Sequence, residues 1–196
     1  MMKRTTAGMA IALLLLPLWV GVAAAGDEKP EKDWKATKRQ SKREKIDAMA
    51  AEALKELFEK SDKAKELYKD SYGYAVFDNL KLSFGIAGGG GVGVAVNNST
   101  KGRTYMKMGT AGVSLGLGGQ KYQVVFLFQD KMTFDSFVNK GWEAGGSANA
   151  VAGKAGANAG ATFINGMAIY QLTEGGLMLQ ADVSGTKYWK YDKLND

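Results

Sequence analysis

Neither cysteine nor histidine occurs in the 196 residues. Without cysteine there can be no disulfide, so stability has to come from packing and strand pairing. No cysteine follows the apolar N-terminal run, which excludes a bacterial lipoprotein. Without histidine there is no imidazole to act as a general base near neutral pH, and both of the strongest zinc-ligand types are missing. Other signatures fail for want of a part. Gly88-Gly89-Gly90-Gly91 could cradle phosphate oxygens, but no Gly-Lys-Ser/Thr follows and no G-x-G-x-x-G opens a helix there, so a kink or bulge between two strands is expected. No D-x-D-x-D-G run offers a calcium loop.

What is present begins with Lys3 and Arg4, an apolar stretch from Met9 to Val22 broken by Pro17, and Ala23-Ala24-Ala25 before Gly26. The charged start, the short apolar run and the small-residue site form the pattern of a secretory signal peptide over residues 1–25. Removing Lys3 and Arg4 from the 26 basic residues leaves 24 against 20 acidic ones, a net charge of about +4. One core of ordinary size is expected.

Residues 26–40 form a charged N-terminal segment interrupted only by Trp34. From Lys32 to Lys45, seven bases (Lys32, Lys35, Lys38, Arg39, Lys42, Arg43 and Lys45) face two acids, Asp33 and Glu44. The plain reading of this stretch is a solvated linker. Ser41-Lys42-Arg43-Glu44 then fits a capping box, predicting a helix start at Ser41. Ile46, Met49, Ala50, Ala53, Leu54, Leu57 and Phe58 recur at helical spacing, with charges on the other face. Ser61 or Asp62 is expected to cap a second short helix carrying Ala64, Leu67 and Tyr68 on one side.

After Ser71 the period becomes two. Leu82, Phe84 and Ile86, then Val92, Val94 and Val96, then Thr104, Met106 and Met108, then Val113, Leu115 and Leu117 alternate with small or polar residues. Asn97-Asn98-Ser99-Thr100 contains a glycosylation sequon and reads as a polar hairpin turn. Val124 to Phe128 is apolar throughout, as expected of a strand covered on both faces. A helix follows, with Thr133 as its cap, Phe134, Phe137 and Val138 on one face, and Gly141 at its end. Trp142 to Thr162 is rich in Ala, Gly, Ser and Asn. Phe163 to Leu172 is strand-like, a Gly175-Gly176 turn leads to alternating Leu177, Leu179, Ala181 and Val183, and Tyr188-Trp189-Lys190-Tyr191 closes the domain. Because bulky residues alternate with Gly, Ala or Ser, one strand face is almost flat, which implies close backbone approach by another element.

Two matches to catalytic motifs are coincidental on this reading. Gly112-Val113-Ser114-Leu115-Gly116 spells a nucleophile elbow, but it alternates as a strand and has no histidine to take the serine proton. Ser184-Gly185-Thr186-Lys187 spells S-x-x-K without its companion elements. Asp78, Asp130, Asp135, Glu143, Glu174 and Asp182 are scattered over turns and strand edges, with nothing in the sequence to pair them as glycosidase carboxylates.

Several segments together resemble the SYLF domain family, over roughly Ile46 to Tyr191. They are Tyr74-Ala75-Val76-Phe77, Leu82-Ser83-Phe84-Gly85-Ile86-Ala87-Gly88-Gly89, Gly93-Val94, Tyr105, and Gly112 to Gln120. Val124 to Phe128, Phe134-Asp135-Ser136-Phe137, Trp142 to Ala148, Gly175-Gly176-Leu177 and Asp182-Val183-Ser184-Gly185 complete the set. The chain departs from the family where hydrophobic residues are diluted, in Gly153 to Gly160. The resemblance implies a mixed α and β domain that binds phospholipid, with phosphoinositide ligands in eukaryotic relatives and actin in yeast. Residues and resemblance together predict an α+β fold: a glycine-rich antiparallel sheet or barrel-like core with N-terminal amphipathic helices and one inserted helix, as a single domain over 41–196.

The expected function is that of an exported, non-enzymatic binding module, periplasmic or secreted and peripheral to a membrane. Its partner would be anionic phospholipid, not nucleic acid and, in an exported setting, not actin. It needs no cofactor or metal and implies no particular oligomeric state. Trp34, Lys35, Lys38, Arg39, Lys42 and Arg43 are the candidate lipid-binding residues. The alternative is an integral outer-membrane β-barrel or a structural envelope protein. The barrel fits poorly with the helices and with an end at Asp196 rather than at an aromatic residue.

Overall fold

The computed structural model describes residues 29–143, 162–174, 176–178 and 185–196. The proposed signal peptide, most of the Ala/Gly/Ser/Asn stretch, the alternation beyond Met178 and Ser184 lie outside the described residues, as do the side chains of 84–87 and 113–117.

The first helix, α1, runs over Lys29–Lys60, and α2 over Asp62–Asp70. The helix start expected at Ser41 is therefore corrected: Ser41 lies inside α1, and Glu44 accepts from Gln40 at 2.9 Å instead of closing a capping box. The reason is propensity. Residues 31–45 are mostly Lys, Glu, Arg, Gln and Ala, all good helix formers, so the helix propagates through a segment whose charge suggested a linker. Ser61 caps α2 as expected, its Oγ accepting from the Ala64 amide at 3.2 Å.

Two long strands dominate the sheet: β1, Gly73–Asn97, and β2, Arg103–Phe128. They pair antiparallel along their length around the turn at Asn97, whose side-chain oxygen accepts from the amides of Ser99 and Thr100, both at 2.9 Å. The short strands expected from the alternation are pieces of this one hairpin. Pairing continues through Gly88 to Gly91, and the register shifts between Phe84 and Ile86 instead of at those glycines. The glycines serve a different need. Beyond the shift β1 doubles back, so that a Cβ on Gly89, Gly91 or Gly93 would meet the carbonyl of Leu80, Asp78 or Val76. The flat face seen in the sequence is where one half of the strand lies against the other.

Helix α3, Lys131–Lys140, follows β2. Its N-cap is Asp130, not Thr133: Asp130 Oδ1 accepts from the Thr133 amide at 2.8 Å, and its other oxygen takes the Thr133 hydroxyl. The helix begins at Lys131, so Thr133 lies in its first turn and supplies the amide that the cap at Asp130 accepts. Gly141 ends the helix at φ 77°. Strands β3 (Trp142–Glu143), β4 (Met167–Thr173), β5 (Gly176–Met178) and β6 (Thr186–Lys190) and the short helix α4 (Asp192–Asn195) complete the described elements. The sheet order is β3-β6-β2-β4-β5, with β1 also on β2. The α+β class and the antiparallel sheet stand as expected.

Strand β2 is covered on both faces. Val125 and Leu127 pack with Val76, Tyr170 and Leu172 beneath the Ile46, Ala50, Ala53 and Leu57 face of α1. Val124, Phe126 and Phe128 pack on the other side with Phe77, Phe137 and Tyr188. In that second layer Tyr188 stands edge to face with Phe77 and with Phe126, at 4.7 Å and 5.1 Å between ring centres.

Candidate functional site

Among the described residues, none packs beneath the first turns of α1. Residues 33–41 are exposed on every side, and burial begins only at Lys42, Arg43 and Ile46. At 1.5 Å per residue, residues 29–41 overhang the domain by about 20 Å. The helical ridge that is apolar and buried at Ile46, Ala50, Ala53 and Leu57 continues backward at spacings of three and four through Lys42, Arg39 and Lys35. One line of the helix is therefore a core face under the body's cover and a basic face beyond it.

The structure places four of the six expected residues on this overhang. Trp34 is 64% exposed, with Lys38 Nζ 5.9 Å from its ring centre. Lys35 pairs with Glu31 at 2.6 Å, and Arg39 is exposed. The other two belong to the body. Arg43 donates from Nε to the Leu194 carbonyl at 2.7 Å and from a terminal nitrogen to the main-chain oxygen of Asp196 at 2.8 Å, which ties α4 to α1. Lys42 donates to the Tyr191 phenol oxygen at 3.2 Å. That ring also lies 4.0 Å from Lys107 Nζ. The hydrogen bond from Lys42 is the largest influence holding the Tyr191 phenol below the ordinary tyrosine range, and the charges of Lys42, Lys107 and Lys193 act in the same direction. Lys107, Tyr191 and Lys193 carry no sequence signal of this meeting, since they stand far from Lys42 along the chain.

Next to these, Asp47 accepts from the Tyr105 hydroxyl at 3.1 Å and pairs with Arg103 at 3.4 Å. Burial is the first cause raising the Tyr105 phenol, ahead of the nearby carboxylate.

The carboxylates weighed as catalytic groups have structural uses or lie in the open. Asp130 caps α3 and is held below the usual carboxylate range, first by the Thr133 amide. Asp135 pairs with Lys131, and Glu143 with Lys187 at 2.9 Å. Asp78 and Glu174 are exposed, and Asp182 lies outside the described residues. The elbow-like segment from Gly112 to Gly116 stays within β2. Among the described residues no three acids gather to hold a metal ion, and no helix is long and apolar enough to cross a membrane.

Comparison with known proteins adds the ancestry. Residues 109–196, from the middle of β2 through α4, match the family described as Ysc84, Las17-binding protein actin regulator. Residues 109–196 thus match the SYLF family. Beta cell expansion factor A of Aeromonas veronii is 51% identical over 144 residues, which make up 74% of this chain and 55% of that protein. The chain thus spans about half the length of that relative. The SYLF family is of a binding type.

Proposed function

We propose that this protein is an exported, non-enzymatic binding module that attaches peripherally to anionic phospholipid at an envelope membrane. The observation that carries the proposal is the overhang of α1, where Trp34, Lys35, Lys38 and Arg39 stand clear of the body on one length of helix. An exposed indole suits the headgroup region, and each base near an anionic surface adds about 1 kcal/mol, screened by salt. The lipid binding implied by family resemblance agrees with this surface. The actin partner in the family description has no place in an exported setting. A membrane barrel is less well supported, because the faces of β2 are occupied by the protein's own α1 and α3 layers instead of being turned to lipid.

Co-sedimentation with vesicles tests the proposal. Wild type is expected to bind phosphatidylglycerol vesicles, to bind neutral phosphatidylcholine vesicles poorly, and to be released by salt. The K35Q/K38Q/R39Q variant is expected to lose roughly a hundredfold in affinity. Undiminished, salt-insensitive binding by that variant would overturn the electrostatic attachment.

A further inference from the structure

The basic line of the overhang does not end with the helix. Where it reaches the body, lysines from two elements meet at one phenol, Lys42 of α1 and Lys107 of β2, and Lys193 of α4 follows that tyrosine by two residues. Lys42 Nζ lies 4.7 Å and Lys107 Nζ 4.0 Å from the centre of the Tyr191 ring, and Lys193 is exposed on α4, two residues further along the chain than Tyr191. None of the three pairs with a carboxylate among the described residues. The neighbouring guanidinium groups are already engaged, Arg43 by the main-chain oxygens of Leu194 and Asp196, and Arg103 by Asp47.

Like charges drawn from separate elements repel one another, and the face of one aromatic ring offsets only part of that repulsion. A run of lysines on a solvated face would spread apart; these converge. The Tyr191 oxygen accepts from Lys42, and its own proton has no acceptor among the described residues. Ammonium and phenol donors arriving from separate elements match a compact, multiply charged oxyanion with several acceptor oxygens. A phosphate diester carries one charge, whereas a monoester approaches two.

We propose that Lys42, Lys107, Lys193 and Tyr191 form a binding site for a phosphate monoester, at the junction of the α1 overhang with the sheet. The ligand is either a lipid headgroup or a free phosphate. Only the headgroup version rests on the membrane attachment proposed above.

The K107Q/K193Q variant separates the possibilities, because neither side chain is buried and neither belongs to the overhang. In the first arm, inorganic phosphate is added to the full chain and compared with chloride at equal ionic strength. Phosphate is expected to shift the NMR signals of Tyr191 and Lys107 in wild type, and the Tyr191 shift is expected to vanish in the variant. In the second arm, phosphatidic acid vesicles are compared with phosphatidylglycerol vesicles at matched surface charge. Wild type is expected to prefer phosphatidic acid by about tenfold, and the variant to bind both alike. A phosphate shift without a lipid preference assigns the site to soluble phosphate. A phosphate shift with no vesicle binding at all sinks the membrane attachment and leaves this site standing. Absence of both effects, or a preference that survives K107Q/K193Q, overturns the site.

Discussion

At the scale of single residues, glycines in this chain differ sharply in what they tolerate. A methyl group on Gly93 would stand 2.5 Å from a ring carbon of Phe77 and within the contact distance of the Val76 carbonyl, neither of which has room to withdraw. Gly93→Ala is therefore expected to destabilise the fold by about 3 kcal/mol, as overpacking of a closed core does. Among the described residues, a methyl group on Gly112 would meet nothing within 4 Å. Gly112→Ala should leave stability within about 0.5 kcal/mol of wild type, or raise it slightly by restricting the unfolded chain. Urea unfolding midpoints for the two variants check this, and equal effects would refute the doubled-back strand. The alternation of glycine with bulky residues was legible in the sequence, and so was its meaning as close approach. Which backbone approaches which was not, because β1 meets itself through a reversal that no local periodicity records.

At the scale of elements, the paired and capped features were the readable ones. The Asn97 turn, the Ser61 cap, the Phe134, Phe137 and Val138 face of α3 and the two-sided strand at Val124 to Phe128 all follow from short-range chemistry. The extent of α1 did not, because a helix built of uniformly good formers carries no internal mark of where it begins. The candidate site divides along the same line. The basic residues around Trp34 could be found by composition, but the assignment of Lys42 and Arg43 to the body depends on Tyr191, Leu194 and Asp196, which only the fold brings near. The overhang has a testable independence: deleting residues 29–40 removes no buried side chain among those described. Such a truncation is expected to keep the urea midpoint within about 0.5 kcal/mol of wild type while abolishing vesicle binding. A large loss of stability would mean that the overhang supports the fold.

At the scale of the whole molecule, the sheet separates two core layers, and each layer buries a tyrosine. Burial pushes the Tyr170 phenol up to about 12, and it pushes Tyr188 well above the ordinary value. In the unfolded chain both ionise near 10. Above that pH the unfolded state therefore holds fewer protons than the folded one, and stability falls as pH rises. The contribution of these groups is fully present below about pH 10 and is lost as pH climbs through about 12. Urea midpoints across that range should decline, while ultraviolet absorbance reports Tyr191 ionising first. A flat stability profile to pH 12 would show that neither core layer holds its tyrosine as tightly as described.

A strand that hydrogen-bonds to one neighbour usually offers its other side to foreign chains, and proteins guard such borders with charge, proline or a covering loop. Among the described residues the 25-residue β1 pairs only with β2, yet its two halves lie against each other at Gly89, Gly91 and Gly93. The strand serves as its own cover. Larger side chains at those glycines would hold the hairpin open and expose a long template for recruiting further copies, so the same residues that permit the bend also keep one molecule from joining the next.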